Sequence, residues 1–308
     1  MSRLTLVKGP GAVKFGNVVL HDADGIQADI QVAASPVATS IEGEVDQWIN
    51  SRFGTISFRP AGEATAAILT ALYPHQTPVM GASLLGATDV PLVVASKAGV
   101  KVTYHAAALT QPPQLRLSAT QTAFGSAAQF RALLAAGKAP GDEDALVSIE
   151  SETWSDATYP FATTNLLRGA YLGTYDGATI TPRGGWTIDV QLATQAVQVD
   201  HEGEIDILLT GVTVTAKCEP QGMSETALAA LLPYTAANGE SIRAGNDLVI
   251  SAGAGKIAVT LHDARPLVGP MRWGTVALRS GEVAWIAQRK LTAGVPGALY
   301  SVDIAAGA

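Results

Sequence analysis

An internal repeat constrains this chain more than any other feature, because the second half of its 308 residues matches the first half in order. The best block pairs positions 28–46 with positions 188–206, and eight of its nineteen positions are identical without a gap. The identical pairs are Asp29/Asp189, Gln31/Gln191, Ala33/Ala193, Val37/Val197, Glu42/Glu202, Gly43/Gly203, Glu44/Glu204 and Asp46/Asp206. We therefore expect a tandem duplication of two similar domains of about 150 residues, at 1–152 and 166–308, with a linker at 153–165.

Shorter blocks follow in the same order, and small changes in their spacing indicate loop insertions. They pair 92–94 with 248–250, 102–105 with 259–262, and 145–149 with 298–302. Near the start of each unit, Gly11 and Gly16 are matched to Gly169 and Gly173. Nearly the whole of each unit therefore takes part in the repeat.

The local patterns predict mostly strands. Apolar residues alternate with polar ones from Val212 to Cys218, which is the period of two of a strand with one wet face. Ile56 and Phe58 hold the matching apolar positions of the first unit. A short apolar run at 90–95 is typical of a buried strand.

Each unit also contains helical patterns. Segments rich in Ala and Leu at 63–72 and 224–232 are each followed by a proline, which predicts one helix in each unit. A second helix is expected over 126–136, with a weaker counterpart over 283–291. The expected fold is therefore two mainly β domains, β-sandwich-like or barrel-like, with one or two helices in each.

The charge balance and the single cysteine exclude several classes of protein. The chain has 27 acidic and 20 basic residues, a formal charge of -7, and no stripe of bases of the kind that grips nucleic-acid phosphates. Cys218 alone supplies neither an intrachain disulfide nor a zinc site built on several thiolates. No apolar run resembles a signal peptide or approaches the roughly 18 residues of a membrane span. We expect a protein made in the cytoplasm, without membrane insertion or tight nucleic-acid binding.

Candidate catalytic residues are few. His105 and His262 hold equivalent positions, but no serine or cysteine nucleophile is repeated beside them. The segment 253–256 is only superficially like a phosphate-binding loop, because Ile257 stands where a serine or threonine would have to reach magnesium. The five tryptophans are scattered, which favours packing over sugar binding. We expect no enzymatic activity and no cofactor.

An acidic motif, Glu-Gly-Glu-x-Asp, recurs at 42–46 and 202–206. Its carboxylates are of the type that binds hard cations, but the motif lacks the length and polar spacing of a calcium-binding loop. Alternation into a strand would place the three acids of each motif on one solvated face. We favour that interpretation over a metal site.

The ordered pattern of each unit resembles that of the tail tube proteins, or major tail proteins, of long-tailed bacteriophages. The pattern has a Gly-rich opening at 9–16 and an acidic turn at 42–44 that leads into the alternating strand at 55–59. It continues with a helix that ends in Tyr73-Pro74 and a closing strand at 145–149. The resemblance covers nearly the whole chain, twice, whereas many members of that family have a single such domain.

The resemblance implies β-sandwich-like domains that form rings of six, and rings that stack into a tube through which DNA passes. Duplication then implies that three chains build one pseudo-hexameric ring of the virion tail. The expected partners are other copies of the chain and the tape measure, tail terminator and tail tip proteins. Since an acidic lumen would repel DNA and ease its passage, the candidates for lumen or ring-edge positions are Glu42, Glu44, Asp46, Glu202, Glu204 and Asp206. The apolar loop at 78–87 is a candidate for ring stacking through Met80, Leu84 and Leu85.

Other classes of protein remain open at this point. A sliding DNA clamp also uses repeated domains, but its hole should be lined with Lys and Arg. A secreted or surface β-tandem binding module would need an export signal, and a hydrolase would need a nucleophile and a base that converge. Within the virion, a tail terminator or a baseplate component fits the same pattern.

Overall fold

The computed structural model describes residues 11–41, 43–62, 65–86, 88–120, 124–139, 142, 145–161, 168–199, 203–222, 224–231, 245–268, 271–273, 278–289, 291–292 and 295–305. Strands dominate these residues, and two short helices accompany them. The expected fold class, mainly β with one or two helices in each half, is confirmed in its main class.

The elements of the first half are β1 (Gly11–Phe15), β2 (Val18–Thr39), β3 (Gly43–Pro60), α1 (Ala66–Leu72), β4 (Leu92–Ser96), β5 (Val100–Tyr104), β6 (Ala106–Gln111), β7 (Leu115–Leu117), β8 (Ala128–Leu133) and β9 (Val147–Ser151). Those of the second half are β10 (Leu172–Tyr175), β11 (Ala178–Ile180), β12 (Trp186–Val199), β13 (Gly203–Cys218), α2 (Glu225–Leu231), β14 (Asn246–Ser251), β15 (Ile257–Val268), β16 (Met271–Trp273), β17 (Leu278–Ser280), β18 (Val283–Ile286), β19 (Leu291–Thr292), β20 (Val295–Pro296) and β21 (Tyr300–Ile304).

Two large sheets contain most of these strands. The first has eight strands in the order β6-β8-β3-β2-β1-β4-β5-β9. The second has the order β11-β10-β14-β15-β18-β13-β12-β7, and β21 pairs with β15 beside this path. Strand β7 comes from the first half of the sequence, so the sheet of the second half is completed by a strand from the first.

The long hairpins β2–β3 and β12–β13 have the same register. Asp29 faces Thr55 in the first hairpin and Asp189 faces Thr215 in the second, so equivalent residues are 160 positions apart. Both hairpins also shift register at the same two equivalent places in their outer halves. The repeated sequence therefore gives a repeated backbone, including its irregularities, while the division into two separate domains stays a prediction.

The start of each unit requires a correction to the sequence alignment. Phe15 faces Val18 across the first turn and Tyr175 faces Ala178 across its counterpart, which makes Gly16 equivalent to Asp176 and not to Gly173. Both turn residues have a positive φ, 56° for Gly16 and 50° for Asp176. Aspartate is one of the few residues other than glycine that adopts this conformation readily, so matching glycines to glycines was wrong here.

The single helix expected in each half is confirmed within the described residues, as α1 and α2. Thr65 caps α1, and its side chain accepts a hydrogen bond from the backbone N–H of Ile68 at 3.2 Å. Ile68, Leu69 and Leu72 form the buried face of the helix. This spacing of three and four is that of the buried face of an amphipathic helix.

The second helix, expected over 126–136, is wrong, because β8 occupies that segment, and β18 lies in its counterpart at 283–291. Ala128, Phe130 and Ala132 are buried and Gln129 is exposed, which is the alternation of a strand. The backbone of β8 pairs with β3 on one side and β6 on the other. Pairing on both edges outweighs a weak helical pattern, since propensity is easily overridden by tertiary contacts.

One hydrophobic core contains buried residues of both halves, among them Leu69, Phe130, Trp186 and Trp285. The rings of Trp186 and Trp285 lie 5.2 Å apart between centroids. Gly173 leaves room for this pair, because a Cβ at that position would lie 2.4 Å from the Trp186 ring. The two halves therefore share one core. Strand β7, which joins the first half to the sheet of the second, precedes the predicted linker at 153–165.

Candidate assembly interface

The two long hairpins differ in exposure although their registers match. Ile30 is 42% exposed and Ile49 is 50% exposed, whereas their equivalents, Val190 and Leu209, are fully buried. The apolar pattern is thus present on both hairpins but covered on one only. The elements that cover the second hairpin therefore bear on the function of the exposed first hairpin.

Strand β7 covers the edge of β12. It adds antiparallel to β12, with the facing pairs Leu117 and Trp186, Arg116 and Thr187, and Leu115 and Ile188. Leu115 and Leu117 are buried, and Arg116 between them is half-buried. An added strand pairs backbone groups that a sheet edge would leave open, so β7 both closes this edge and buries its apolar side chains.

Three features position β7 and the segment that leads into it. Gly185 has a φ of 102°, and a Cβ there would lie 2.5 Å from the carbonyl oxygen of Leu117, so the close approach requires glycine. The Gln111 side chain donates from Nε2 to the carbonyl oxygen of Val190 at 2.9 Å. The Tyr73 hydroxyl donates to the carbonyl of Pro113 at 2.8 Å, and burial raises the pKa of Tyr73, which keeps it protonated as a donor.

A loop of the first half, 79–86, covers the edge of β13. Backbone hydrogen bonds join the N–H of Gly81 to the carbonyl of Leu209 at 2.8 Å and the N–H of Leu209 to the carbonyl of Ala82 at 2.9 Å. The N–H of Leu84 donates to the carbonyl of Ile207 at 2.8 Å. This loop is the reason that Leu209 is buried while Ile49 is not.

Helix α1 is the third element of the first half that reaches the second half. It packs against β21 as well as against β2. Val302 in β21 is buried, whereas the equivalent residue of β9, Ile149, is 70% exposed. The first half therefore covers the second at three places, and each has an uncovered equivalent on the first half itself.

An ion pair joins the two halves beside the loop. Arg131 of β8 lies against Glu204 at the start of β13, and Glu204 also accepts a hydrogen bond from Nε2 of Gln198 at 3.3 Å. The Arg131 guanidinium carbon lies 3.9 Å from the ring centre of Phe53. Loss of one partner would leave a buried charge uncompensated, so this pair fixes how the halves meet.

The acids predicted for the lumen or ring edge occupy different environments in the two units. Glu42 and Glu202 lie outside the described residues. Glu44 and Asp46 are exposed near the turn between β2 and β3, and Glu44 accepts a hydrogen bond from Nε2 of Gln47 at 2.8 Å. A position at the lumen or ring edge stays a prediction for these two acids.

The equivalent acids of the second unit lie at the junction of the halves. The solvated position expected for Glu204 is wrong, because Glu204 is buried and paired with Arg131. Asp206 accepts a hydrogen bond from the hydroxyl of Ser83 at 2.6 Å. The acidic motif therefore serves the internal junction in the second unit, and sequence identity between the motifs did not reveal this difference.

The three residues predicted for ring stacking also lie in loop 79–86. Leu85 is buried beside Ile207 in a small apolar cluster, and Leu84 packs partly buried against the same cluster. Met80 is exposed. Leu84 and Leu85 thus make contacts within the chain, and ring stacking stays a prediction in which Met80 is the residue that offers an exposed apolar side chain.

The residues that sequence reasoning missed are those of β7. Their contribution depends on contact with β12, about 70 positions further along the chain, which no local pattern reports. One signal was present in the sequence, since the apolar-Arg-apolar triplet 115–117 recurs as 271–273. An alignment of the units extended through this region would have found it.

Chemical sites are sparse in the part of the chain that the structure describes. Among these residues no group of three or more His, Cys, Asp and Glu is arranged to hold a metal ion. No described helix is long and apolar enough to cross a membrane. His262 lies 3.1 Å from Asp247 between Nδ1 and Oδ2, and burial raises the pKa of the Cys218 thiol.

Comparison with protein-family models and with curated proteins found no match to this chain. The proposed function therefore rests on the geometry of the junction between the two halves.

Proposed function

We propose that this chain is a virion structural protein, a tail tube protein of a long-tailed phage, and that three copies form a pseudo-hexameric ring. The observation that supports this most is the contrast between the hairpins. Elements of the first half cover the second hairpin, while the equivalent apolar surface of the first hairpin is exposed. A neighbouring copy that covers it in the same way makes a head-to-tail contact, which closes into a ring when the rotation allows.

The lengths of the hairpin strands support a tube wall. Strands β2 and β3 have 22 and 18 residues, and β12 and β13 have 14 and 16. Ordinary strands have about five or six residues. Long hairpins from six units can be pooled into one wide barrel, because the diameter of a barrel grows with its number of strands.

The charge supports passage of DNA without binding. A formal charge of -7 per chain gives no general attraction for phosphates, and gripping phosphates is the dominant source of non-specific affinity for DNA. Glu44 and Asp46 at the hairpin turn are the described candidates for the lumen or ring edge. In this proposal the rings stack into the tail tube, and the tape measure, tail terminator and tail tip proteins are the partners.

The test is negative-stain electron microscopy of the purified chain over a range of concentrations, with light scattering for mass. Rings of three chains with six lobes, or stacked hollow tubes, are expected. Closed rings that never stack would favour a tail terminator or baseplate component. A monomer at every concentration, even when seeded with tail tips, would contradict the proposal.

A matched pair of variants sharpens this test. Ile49→Arg places a charge where the equivalent Leu209 is buried, and we expect it to abolish rings while leaving the monomer folded, because Ile49 is exposed within the chain. Val45→Arg is the control, since Val45 and its equivalent Ile205 are both exposed. Rings that survive Ile49→Arg as well as they survive Val45→Arg would count against the head-to-tail contact.

A further inference from the structure

The edge of β2 that corresponds to the β7 site is open within the described residues. Strand β1 pairs with β2 only over 18–21, and no described strand continues along that edge at 26–28, the equivalent of 186–188. Ala28 is exposed where Ile188 is buried. A free, partly apolar edge is a template for another strand.

Gly25 has the backbone conformation that accommodates an added strand at the equivalent position, Gly185. It is equivalent to Gly185 and has nearly the same φ, 105° against 102°. At Gly185 this conformation makes room for the carbonyl of Leu117, whereas at Gly25 no described atom lies within 4 Å of the Cβ that a side chain would carry. The backbone of β2 thus has the shape that receives a strand, and none of the described residues fills the space.

A donor strand exists at the equivalent place in the second unit. Strand β7 lies between β6 and β8, and β16 lies between β15 and β18, which pair with each other as β6 and β8 do. Each donor also takes part in a local hairpin, β7 through a bridge from Leu115 to Phe124 and β16 through β17. The donor in the second unit has no acceptor in its own chain among the described residues.

The residues equivalent to the two apolar pairs of the internal junction keep a similar combined size at one pair. In the internal junction the acceptor supplies the large residue, Trp186, and the donor supplies Leu117. At the equivalent positions the acceptor supplies Ile26 and the donor supplies Trp273. The next apolar pair of the internal junction is Ile188 with Leu115, and the equivalent residues are Ala28 and Met271. A smaller acceptor is thus matched by a larger donor at the first pair, whereas the second pair is smaller than its internal counterpart, because methionine is about as large as leucine.

We propose that β16 of one copy adds antiparallel to β2 of a neighbouring copy, with Trp273 facing Ile26, Arg272 facing Gln27 and Met271 facing Ala28. The internal β7–β12 junction is the template for this contact between chains. The inference rests on the proposed head-to-tail assembly and identifies the strands that make it. Because donor and acceptor surfaces differ, each chain offers one of each, and the contact propagates around a ring.

Disulfide cross-linking tests the register of this contact. The double variant Gln27→Cys with Arg272→Cys puts two thiols on facing residues, whose Cα atoms lie about 4.5–5.5 Å apart in an antiparallel pair, within the range of a disulfide. The native Cys218 is buried with a raised thiol pKa and should not compete in the folded chain. Mild oxidation of assembled protein should give dimers and trimers on a non-reducing gel.

Two matched variants control the cross-link. Arg116→Cys with Thr187→Cys is the internal equivalent and should form an intrachain disulfide with no change in mass. Gln27→Cys with Arg279→Cys moves the second thiol to β17, one strand further away, and should give no interchain link. Equal cross-linking of the Arg272 and Arg279 variants would overturn the proposed register.

The outcomes separate this inference from the proposed function. Rings that form without a link between residues 27 and 272 overturn the inference and leave the tail tube proposal standing. Linked oligomers that do not close into rings support the strand addition and count against the tube. Absence of both assembly and linkage overturns both. Ala28→Arg should also block assembly, whereas Gln31→Arg should not, because Gln31 and its equivalent Gln191 are both exposed.

Discussion

The hairpins β2–β3 and β12–β13 share a register, two register shifts and eight identical residues in one block, yet one is exposed and the other is covered. The backbone of each hairpin is therefore determined by its own sequence pattern and turn. Burial is determined by elements elsewhere in the chain, namely β7, loop 79–86 and α1. The comparison teaches that a repeat can preserve the backbone of a surface while its burial differs between the two units.

The two junctions are not expected to be equally strong. Arg131, which pairs with Glu204 across the halves, has Ile286 at its equivalent position in the second unit. The proposed contact between copies would therefore lack this ion pair. An internal junction that is built in during folding and a weaker one between chains would allow the monomer to fold first and assemble afterwards.

We expect the largest loss of stability from a substitution that removes part of the cover of the second hairpin. Leu117→Ala removes a fully buried side chain that faces Trp186, and we expect the free energy of unfolding to fall by about 3–5 kcal/mol. Urea denaturation of the monomer, followed by tryptophan fluorescence, measures this loss. Leu172→Ala is the control, since Leu172 is exposed and should change stability by less than about 0.5 kcal/mol. Equal midpoints for the two variants would show that β7 does not stabilise the second half.

Local sequence patterns were enough to predict the main fold class and several of its elements. The alternation at Ile56 and Phe58, and its counterpart from Val212 to Cys218, correspond to β3 and β13, and the stops before Pro74 and Pro233 correspond to α1 and α2. The segment around Phe130 was misread because Phe130, Leu133 and Leu134 also fit a helical spacing. The segment forms a strand because its backbone pairs with β3 and β6. These non-local contacts cannot be read from the local pattern.

The candidate interface could be predicted only in part. Exposure of the acidic motif was anticipated for Glu44, but Glu204 is buried by Arg131, a residue 73 positions away in sequence. The apolar residues of the loop at 78–87 were predicted to stack rings, which stays a prediction, whereas Leu84 and Leu85 pack against Ile207 of the chain's own second half. In both cases the missing information was which distant element packs against the pattern.

A smaller effect is expected from removing the charge that joins the halves. Glu204→Gln keeps the size of the side chain and removes the charge paired with Arg131, and we expect a loss of about 2 kcal/mol, typical of a hydrogen bond to a charged group. Glu44→Gln, the equivalent change on the exposed hairpin, should alter stability by no more than about 0.5 kcal/mol. Thermal or urea unfolding of both variants compares them. A loss at Glu44 as large as at Glu204 would contradict the difference between the hairpins.

The smallest effect concerns a pair that only the first unit has. Lys101 faces Glu150 across β5 and β9 at 2.7 Å, whereas the equivalent residues across β15 and β21 are Ala258 and Asp303. The hydrogen bond from Lys101 lowers the pKa of Glu150 in the folded chain. A carboxyl whose folded pKa is lowered stabilises the fold above its unfolded pKa of about 4.3, and this contribution is lost as the pH falls through the folded pKa.

Lys101→Met should therefore return the pKa of Glu150 to its ordinary value, because the hydrogen bond that lowers it is gone. Stability above about pH 5 should fall slightly, and the difference from the original chain should vanish at lower pH, where Glu150 is protonated in both. Carbon-detected NMR titration of the Glu150 carboxyl measures the shift directly. Lys217→Met is the control for net charge, since Lys217 pairs with Glu282 in the other half and should leave the pKa of Glu150 unchanged. If both variants moved that pKa equally, the effect would come from overall charge and the asymmetry between the two units would not extend to this pair.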